Sequence, residues 1–346
     1  MKKYILIILA LAAAAAAFFA GRWLTDNKLP NLQQAKEVYV YPGSTAQEVL
    51  DSLSGLVRHP RSLARMFRDK QVENYLTPGH YAFKEGTTSV FIARSLNNGW
   101  QSPVTLVISG GLRRKGDIAR RISSQMMLDS AAVASALDDR NLLGKYGFTP
   151  ATAFALIMPD NYEMLWTADM EEILDRQKAA YDAFWTPENK ARADKVGLAP
   201  LEVSILASIV KGESRYKPDY AKIAGVYLNR IETGMLLQAD PTVAYCFDYE
   251  PTRILRTHLA VDSPYNTYKH KGLPPGPICV PDRDYLEAVL APDYGTADGR
   301  PGSGGNIYFC ASPDFDGSHR FAHSYSEHLN NARAFQRALN ARRNKK

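Results

Sequence analysis

The sequence predicts an α+β protein in three parts. An apolar N-terminal helix is followed by a small unit of alternating short strands and helices, and then by a larger helix-rich domain with short strands. Three observations lead to this prediction: residues 4–20 carry no charge, residues 38–98 show signals in the order β-α-α-β-α, and apolar residues after about residue 150 recur with helical spacing. The chain has 346 residues, enough for two domains beyond the N-terminal helix.

The first segment has the composition of a membrane anchor. Lys2 and Lys3 precede the uncharged run, and Arg22-Trp23-Leu24 follows it. A helix needs about 20 apolar residues to cross a bilayer core, and flanking lysines favour the cytoplasmic side. We therefore predict a single-pass anchor at residues 1–25 in the cytoplasmic (inner) membrane, with the rest of the chain on the outer (periplasmic) face. A cleaved signal peptide is the alternative, because the run is rich in alanine.

Composition narrows the classes of partner. Apolar residues make up 45% of the chain, charged residues 23%, and the formal net charge is +6, as in ordinary globular proteins. The positive charge of an exported protein favours anionic polymers or lipid headgroups, or it is only a solvated surface with a basic tail at 342–346. The sequence has no basic stripe with interleaved aromatic residues, so nucleic acid is not expected as a partner.

The three cysteines do not have the spacing of a disulfide framework. They are Cys246, Cys279 and Cys310. At most one pair can form, for example Cys246 with Cys279, and buried free thiols are at least as good an interpretation.

Residues 26–103 combine a polar tether, at 26–37, with the small β-α-α-β-α unit. Ser44 and Thr45 have Gln47 and Glu48 three residues further on, the spacing of a capping box, and Asn98-Gly99 is a typical helix end. The elements expected in order are a strand at 38–41, helices that carry Val49 to Leu53 and Leu63 to Phe67, a strand at 80–83, and a helix that carries Val90 to Leu96.

A connecting αβ segment is predicted at residues 104–150. It begins with a strand at 104–108 and continues, after Gly110-Gly111, into a basic helix at 113–122. The arginines and lysines of this helix could bind a strand of an anionic polymer, or they could form a face that is exposed to solvent.

Residues 151–346 form the predicted larger domain. Met158–Tyr162 is expected to be a turn, and an amphipathic helix should follow through Ile173 and Tyr181. Ala199-Pro200 opens the next helix, since proline suits a first helical turn. A further helix begins near Asp219 and ends at Gly234.

Glu213 is the most informative residue of that domain. It lies four residues beyond Ile209 and three beyond Val210, so it extends the apolar stripe of its helix, whereas Lys211 should point elsewhere. A carboxyl group in apolar surroundings has a raised pKa and can donate a proton near neutral pH. The alternative is a structural glutamate that pairs with Arg215, Lys217 or Arg230.

Six motifs occur together in a characteristic order. They are Glu213-Ser214 at the end of an apolar helix, Ala224–Arg230 (AGVYLNR), Gly234–Thr242 (GMLLQADPT), Tyr265–Tyr268 (YNTY), Gly272–Ile278 (GLPPGPI), and His319–Phe321 with Glu327-His328. In these motifs the chain resembles the YceG-like family of membrane-anchored endolytic murein transglycosylases. The matching motifs are closely spaced over about residues 150–335. The small N-terminal unit resembles the family's LysM-like subdomain more loosely.

This resemblance implies a reaction. The enzyme would be a lyase that cleaves the β-1,4 bond between N-acetylmuramic acid (MurNAc) and N-acetylglucosamine (GlcNAc) inside glycan strands. The C6 hydroxyl of MurNAc would attack C1 and leave a 1,6-anhydro end, and Glu213 would act first as acid and then as base. The resemblance also implies a role in terminating the elongation of nascent strands. One departure is Lys211, which stands where the family commonly has an acidic residue.

The remaining motif residues are expected to bind substrate, because amide, hydroxyl and aromatic groups suit acetamido and pyranose recognition. They are Ser214, Asn229, Gln238, Asp240, Thr242, Tyr265, Asn266, Thr267, Tyr268 and Pro277. From the residues alone, Gln238–Thr242 could equally be a self-bonded turn and Tyr265–Tyr268 an aromatic core edge.

No metal and no cofactor are expected. His319, His323 and His328 lack the paired spacing of a zinc motif, and Asp314–Gly317 lacks the other ligands of a calcium loop. The partners implied by the resemblance are peptidoglycan strands, the membrane, and, as candidates, penicillin-binding proteins and other wall-synthesis proteins. Two other functions remain open: a non-catalytic peptidoglycan-binding scaffold and a lysozyme-like hydrolase.

Overall fold

A computed structural model describes residues 2–302 and 304–344 of the chain. Within these residues the architecture is α+β, as predicted, with many helices and three two-stranded sheets. The chain divides into two compact units. The first contains the chain up to Leu106 with Gln125–Leu128 and Tyr162–Ala168, and the second contains Val107–Ser124, Asp129–Asn161 and the chain from Asp169 onward. Met1 of the predicted anchor and Lys345 and Lys346 of the basic tail lie outside the described residues.

The predicted β-α-α-β-α order is present, with one additional short helix. The elements up to residue 108 are α1 (Lys2–Asn27), β1 (Lys36–Val40), α2 (Ala46–Ser54), α3 (Pro60–Asp69), α4 (Val72–Tyr75), β2 (Gly79–Phe83), α5 (Ser89–Asn98) and β3 (Pro103–Ile108). Strands β1 and β2 are antiparallel, with Val38 opposite Tyr81. The capping box of α2 is confirmed, because the Glu48 amide donates to Thr45 Oγ1 and the Thr45 amide donates to Glu48 Oε2.

The helix α1 is long and apolar enough to cross a membrane by its length and composition. Its 26 residues would extend about 39 Å, which exceeds the roughly 30 Å of a bilayer core. Its last turn is different in character, since Asp26 is buried and forms an ion pair with Arg65 of α3 at 2.6 Å.

The polar tether predicted at residues 26–37 is wrong as a description of this segment. Besides the Asp26–Arg65 pair, Asn31 and Leu32 are completely buried. The Asn31 side chain donates to Ser89 Oγ at 2.8 Å and accepts from the His59 amide at 2.6 Å. These long-range contacts fix the segment inside the first unit, and sequence composition alone does not reveal them.

The rest of the chain is mainly helical. Its elements are α6 (Lys115–Ser123), α7 (Ser130–Ala136), α8 (Arg140–Lys145), α9 (Ala153–Leu156), β4 (Asp160–Leu165), α10 (Met170–Phe184), α11 (Pro187–Lys195), α12 (Pro200–Glu213), α13 (Tyr220–Glu232), α14 (Asp240–Cys246), α15 (Arg283–Leu290), β5 (Tyr308–Ala311), β6 (His319–Ala322) and α16 (Tyr325–Arg343). The turn predicted at Met158–Tyr162 is wrong, because Asp160–Leu165 is strand β4, the partner of β3. These residues form a strand because they pair with β3, which lies about 50 residues earlier in the chain. The local sequence does not indicate such a pairing.

Most charges of the basic helix are neutralised inside the second unit. Arg114 pairs with Asp248, Lys115 with Asp138, and Arg120 with Asp117. These ion pairs favour a structural role for α6 over the binding of an anionic polymer strand.

Helix α12 is the central element of the second unit. Its residues 203–210 are all buried, and it packs against α13, α14 and α15. The helix begins after Ala199, whose amide donates to Glu202 Oε2 at 2.8 Å, and Pro200 occupies the first turn. The apolar core therefore surrounds α12 along its length and leaves its C-terminal end at a surface cleft.

Candidate active site

Glu213 is the last residue of α12, and it lines a cleft of about 670 Å³. The residue is only partly exposed. Its position matches the sequence prediction of a carboxyl group that continues the buried stripe. The volume of the cleft lies within the usual range of ligand pockets in proteins, about 300–1,000 Å³.

The partner of Glu213 is a tyrosine on the neighbouring helix. Tyr227 of α13 is buried and donates its hydroxyl hydrogen to Glu213 Oε1 at 2.5 Å. Burial and the neighbouring Glu213 charge raise the pKa of Tyr227, so this hydroxyl keeps its proton and acts as a donor. The alternative in which Glu213 pairs with Lys217 is excluded, because Lys217 forms an ion pair with Asp284.

The pKa of Glu213 is raised from 4.5 to about 7. The largest cause is removal of the carboxyl group from water, and the charge of Asp240 adds to it. The hydrogen bond from Tyr227 and the charge of Arg230 act in the opposite direction. A carboxyl group with this pKa exchanges its proton near neutral pH, as a group that serves in turn as acid and base requires.

Asp240 is the second carboxylate of the cleft. It opens α14 and accepts a hydrogen bond from the Tyr268 hydroxyl at 2.6 Å. Its placement depends on Gly212, where a Cβ atom would lie 2.5 Å from Cβ of Pro241. Only a glycine allows the start of α14 to approach the end of α12 this closely.

Two threonines join the segments that carry Asp240 and Tyr268. The hydroxyls of Thr242 and Thr267 are 2.8 Å apart, and Thr267 Oγ1 also accepts from the Ala239 amide at 3.0 Å. Both threonines are buried. Neighbouring Asn266 is completely buried too, with its amide donating to two loop carbonyls. All three fix the loops of the site, and none of them is among the residues that line the cleft, so direct substrate contact by them stays a prediction.

Three further predicted substrate residues are also enclosed by protein. Asn229 is completely buried and donates to the carbonyls of Tyr294 and Asn306. Ser214 is buried, and its hydroxyl accepts from the Tyr216 amide. Pro277 is buried as well. The polar groups of Asn229 and Ser214 thus hold α13, the end of α12 and the loops around them, and direct substrate contact by these three residues stays a prediction.

The remaining predicted residues are more accessible. Gln238 is exposed and adopts a left-handed backbone conformation with φ of 50°. Tyr265 is half-buried, with its ring 4.6 Å from that of Tyr245. Tyr268 is half-buried, and its hydroxyl donates a hydrogen bond to Asp240, which lines the cleft. Glu213, Asp240 and Tyr268 are therefore the predicted residues that the structure brings together.

Lys211 does not point away from the site as predicted, because it also lines the cleft. It forms an ion pair with Asp282 at 2.8 Å and donates to the Val280 carbonyl at 2.8 Å. The cleft surrounds the end of α12, so residues on two sides of the helix reach it. Sequence reasoning also missed Tyr227, although it lies within the AGVYLNR motif, since a tyrosine on an apolar helix face gives no sign of its hydroxyl partner.

The cysteines and histidines add no further centre to the described part of the chain. Cys246, Cys279 and Cys310 are free thiols, and burial raises the pKa of Cys279 to about 12, which makes it unreactive. His319 faces Asp219 at 3.1 Å. Within residues 2–302 and 304–344, no group of three His, Cys, Asp or Glu residues is placed to hold a metal ion.

Two known proteins resemble this chain in sequence. An endolytic murein transglycosylase of Bacillus subtilis is 42% identical over 108 residues, which cover 31% of this chain and 29% of that protein. An endolytic murein transglycosylase of Streptococcus pneumoniae is 26% identical over 363 aligned positions, which cover 94% of this chain and 63% of that protein. This chain thus spans less than two thirds of the length of either relative.

A solved structure shows the same fold. The crystal structure of a YceG-like protein from Listeria monocytogenes aligns with a TM-score of 0.55 and 25% identity, over 86% of this chain and 98% of that one. The model of the YceG-like family matches residues 38–334, which include both the small N-terminal unit and the cleft. The chain therefore belongs to the YceG-like family.

Proposed function

We propose that this protein is an endolytic peptidoglycan lytic transglycosylase, a lyase that cleaves the MurNAc–GlcNAc β-1,4 bond within glycan strands. The single observation that carries the proposal is the Glu213 carboxyl group, partly buried at the end of an apolar helix, open to a cleft, with a pKa of about 7. The names of the related proteins from B. subtilis and S. pneumoniae support murein as the substrate.

In the first half of the reaction Glu213 is the acid. Its protonated carboxyl group donates the proton to the glycosidic oxygen as the bond from C1 of MurNAc to that oxygen breaks. The leaving GlcNAc residue keeps the proton as a hydroxyl. Proton transfer from a positioned group of this kind contributes about 10²- to 10⁴-fold to a rate.

In the second half Glu213, now a carboxylate, is the base. It takes the proton of the C6 hydroxyl of the same MurNAc as that oxygen bonds to C1. The product is a 1,6-anhydro end, no water is consumed, and Glu213 recovers its proton. Tyr227 stabilises the carboxylate form between the two halves through its hydrogen bond to Oε1.

Asp240, Tyr268, Gln238 and Tyr265 are the proposed substrate contacts. Asp240 and Tyr268 offer polar groups beside Glu213, while Gln238 and Tyr265 belong to the adjoining loops. Ser214, Asn229, Thr242, Asn266, Thr267 and Pro277 are proposed to position these loops and not to touch glycan.

The proposal extends to the setting of the reaction. The protein is anchored by α1 as a single-pass protein of the cytoplasmic membrane, with the site on the outer face, and it ends the elongation of nascent strands beside penicillin-binding proteins or other wall-synthesis proteins. The β1–α5 region acts as a LysM-like glycan-binding subdomain.

A lysozyme-like hydrolase is the second candidate, and Asp240 favours it. Hydrolysis by most glycosidases uses two carboxyl groups, and Asp240 lines the same cleft as Glu213. In that reaction Asp240 would activate a water molecule and the product would have a reducing end.

End-group analysis separates these functions. The full-length protein in detergent is incubated with isolated glycan strands, and the products are identified by mass spectrometry. We expect 1,6-anhydro ends with the wild type and intact strands with Glu213→Gln. Reducing ends would replace the lyase by the hydrolase, and strands left intact by a folded wild-type protein would favour a non-catalytic scaffold.

A further inference from the structure

The cleft that holds Glu213 contains three arginines without acidic partners. Arg113, Arg215 and Arg253 all line it, and all three are exposed. Among the described residues none of them forms an ion pair, in contrast to Arg114, Lys115 and Arg120 nearby. The guanidinium group of Arg113 lies over the Tyr249 ring at 5.2 Å, which orients it without neutralising it.

The acidic groups of the cleft are already engaged. Asp282 pairs with Lys211, and Asp240 accepts from Tyr268. Arg113, Lys211, Arg215 and Arg253 supply four positive charges against these two aspartates. When Glu213 holds its proton, the cleft therefore has an excess of two positive charges, all of it on guanidinium groups.

A neutral glycan does not account for this excess. The N-acetyl and hydroxyl groups of the sugars carry no charge, whereas guanidinium groups are suited to bind carboxylates, often through two parallel hydrogen bonds. The carboxylates of peptidoglycan belong to the peptide stem, which is attached through the lactyl group of the same MurNAc whose C1 bond would be broken at Glu213.

We propose that Arg113, Arg215 and Arg253 form a subsite for the carboxylates of the peptide stem, so that the protein selects strands that carry stems over bare glycan. This inference rests on the proposed function for its placement of MurNAc beside Glu213. A phosphodiester polymer attached through C6 of MurNAc fits less well, because that substituent would occupy the hydroxyl that acts as the nucleophile.

Binding to an inactive variant tests the subsite independently of cleavage. Full-length Glu213→Gln in detergent is titrated with strands that carry stems and with strands from which an amidase has removed the stems. We expect at least tenfold tighter binding of the strands with stems, since a charge-assisted hydrogen bond contributes roughly tenfold or more. The preference should fall as NaCl approaches 1 M, where charges are screened beyond about 3 Å.

Arginine variants then identify the groups responsible. Arg215→Gln with Arg253→Gln, added to Glu213→Gln, should remove most of the preference and leave only the share that Arg113 contributes. Both side chains are exposed, so the fold should be retained, and a variant with both arginines replaced by lysine should recover part of the preference. The matched control is Arg333→Gln with Arg337→Gln, which removes the same charge from the exposed face of α16 and should keep the full preference.

The possible failures are distinguishable. Equal binding of both strand types by Glu213→Gln would overturn the subsite, whether or not the wild type cleaves glycan. Preferential binding of a phosphodiester polymer such as teichoic acid, lost in the double arginine variant, would assign the arginines to that polymer and also overturn it. A wild type that cleaves neither strand type would overturn the proposed function alone, since the binding measurement still decides the subsite.

Discussion

Replacing Glu213 by glutamine should stabilise the protein at alkaline pH. A folded-state pKa of about 7, above the ordinary value, means that the folded protein retains a proton that the unfolded chain has already lost. The free energy of unfolding should therefore fall as pH rises from about 4.5 to 7, and remain lowered above that window. Glutamine is neutral throughout and still offers an oxygen to the Tyr227 hydroxyl.

The size of the effect follows from the two pKa values. The difference between 4.5 and about 7 corresponds to about 3 kcal/mol, and this is an upper limit because the cleft admits water. Below pH 4.5 both states are protonated, so the term vanishes there. The gain of Glu213→Gln over the wild type should consequently grow by up to about 3 kcal/mol between pH 4 and pH 8.5.

Urea unfolding of the full-length protein in detergent, repeated across this pH range, measures the difference. The control is Glu232→Gln, which removes an exposed carboxyl group at the end of α13 and should not reproduce the pH-dependent gain. Wild-type and Glu213→Gln stabilities that run parallel from pH 4 to pH 8.5 would refute the claim that α12 holds this carboxyl group in a desolvated state.

Three further predictions concern the contacts around the site and the anchor. Tyr227→Phe removes the hydrogen bond that lowers the pKa of Glu213, so the alkaline limb of kcat/KM should move up by about one pH unit; an unchanged pH–rate profile would contradict this role. Gly212→Ala places a Cβ atom against Pro241 and should cost about 1–3 kcal/mol with a large loss of strand cleavage. Gly144→Ala, at a position in α8 where the space is open, should keep cleavage and should not destabilise the protein, since alanine is the better helix former. Asp26→Ala leaves Arg65 without its partner and should lower the free energy of unfolding of the first unit by about 2–4 kcal/mol, measured by differential scanning calorimetry. A loss below about 0.5 kcal/mol would mean that the ion pair is not held as the structure shows.

The sequence could predict elements whose signals are local. The capping box at Thr45 and Glu48, the proline that opens α12, and the apolar stripe that ends at Glu213 all lie within one or two helical turns. The interactions that define them are between near neighbours, so they survive without knowledge of the fold. The same holds for strands β1 and β2, which are rich in strand-forming residues.

Features set by distant contacts could not be predicted in this way. Strand β4 depends on β3, and the burial of Asn31 depends on Ser89 and His59. Asn229, Thr242 and Asn266 look like sugar-binding groups in sequence because their side chains suit that purpose. Their burial against loop carbonyls appears only when the segments are assembled, and buried polar groups of this kind are nearly always satisfied within the protein.

Lys211 shows how the end of a helix changes such reasoning. Residues two apart on a helix point about 200° away from each other, so Lys211 and Glu213 should occupy opposite faces. In the middle of a helix with one buried face, one of two such residues would lie in the core and the other in solvent. At its C-terminal end the cleft surrounds the helix, and both residues line it. Asp282 then neutralises the lysine, which is why the charge that remains available to an anionic ligand belongs to the arginines of the cleft and not to Lys211.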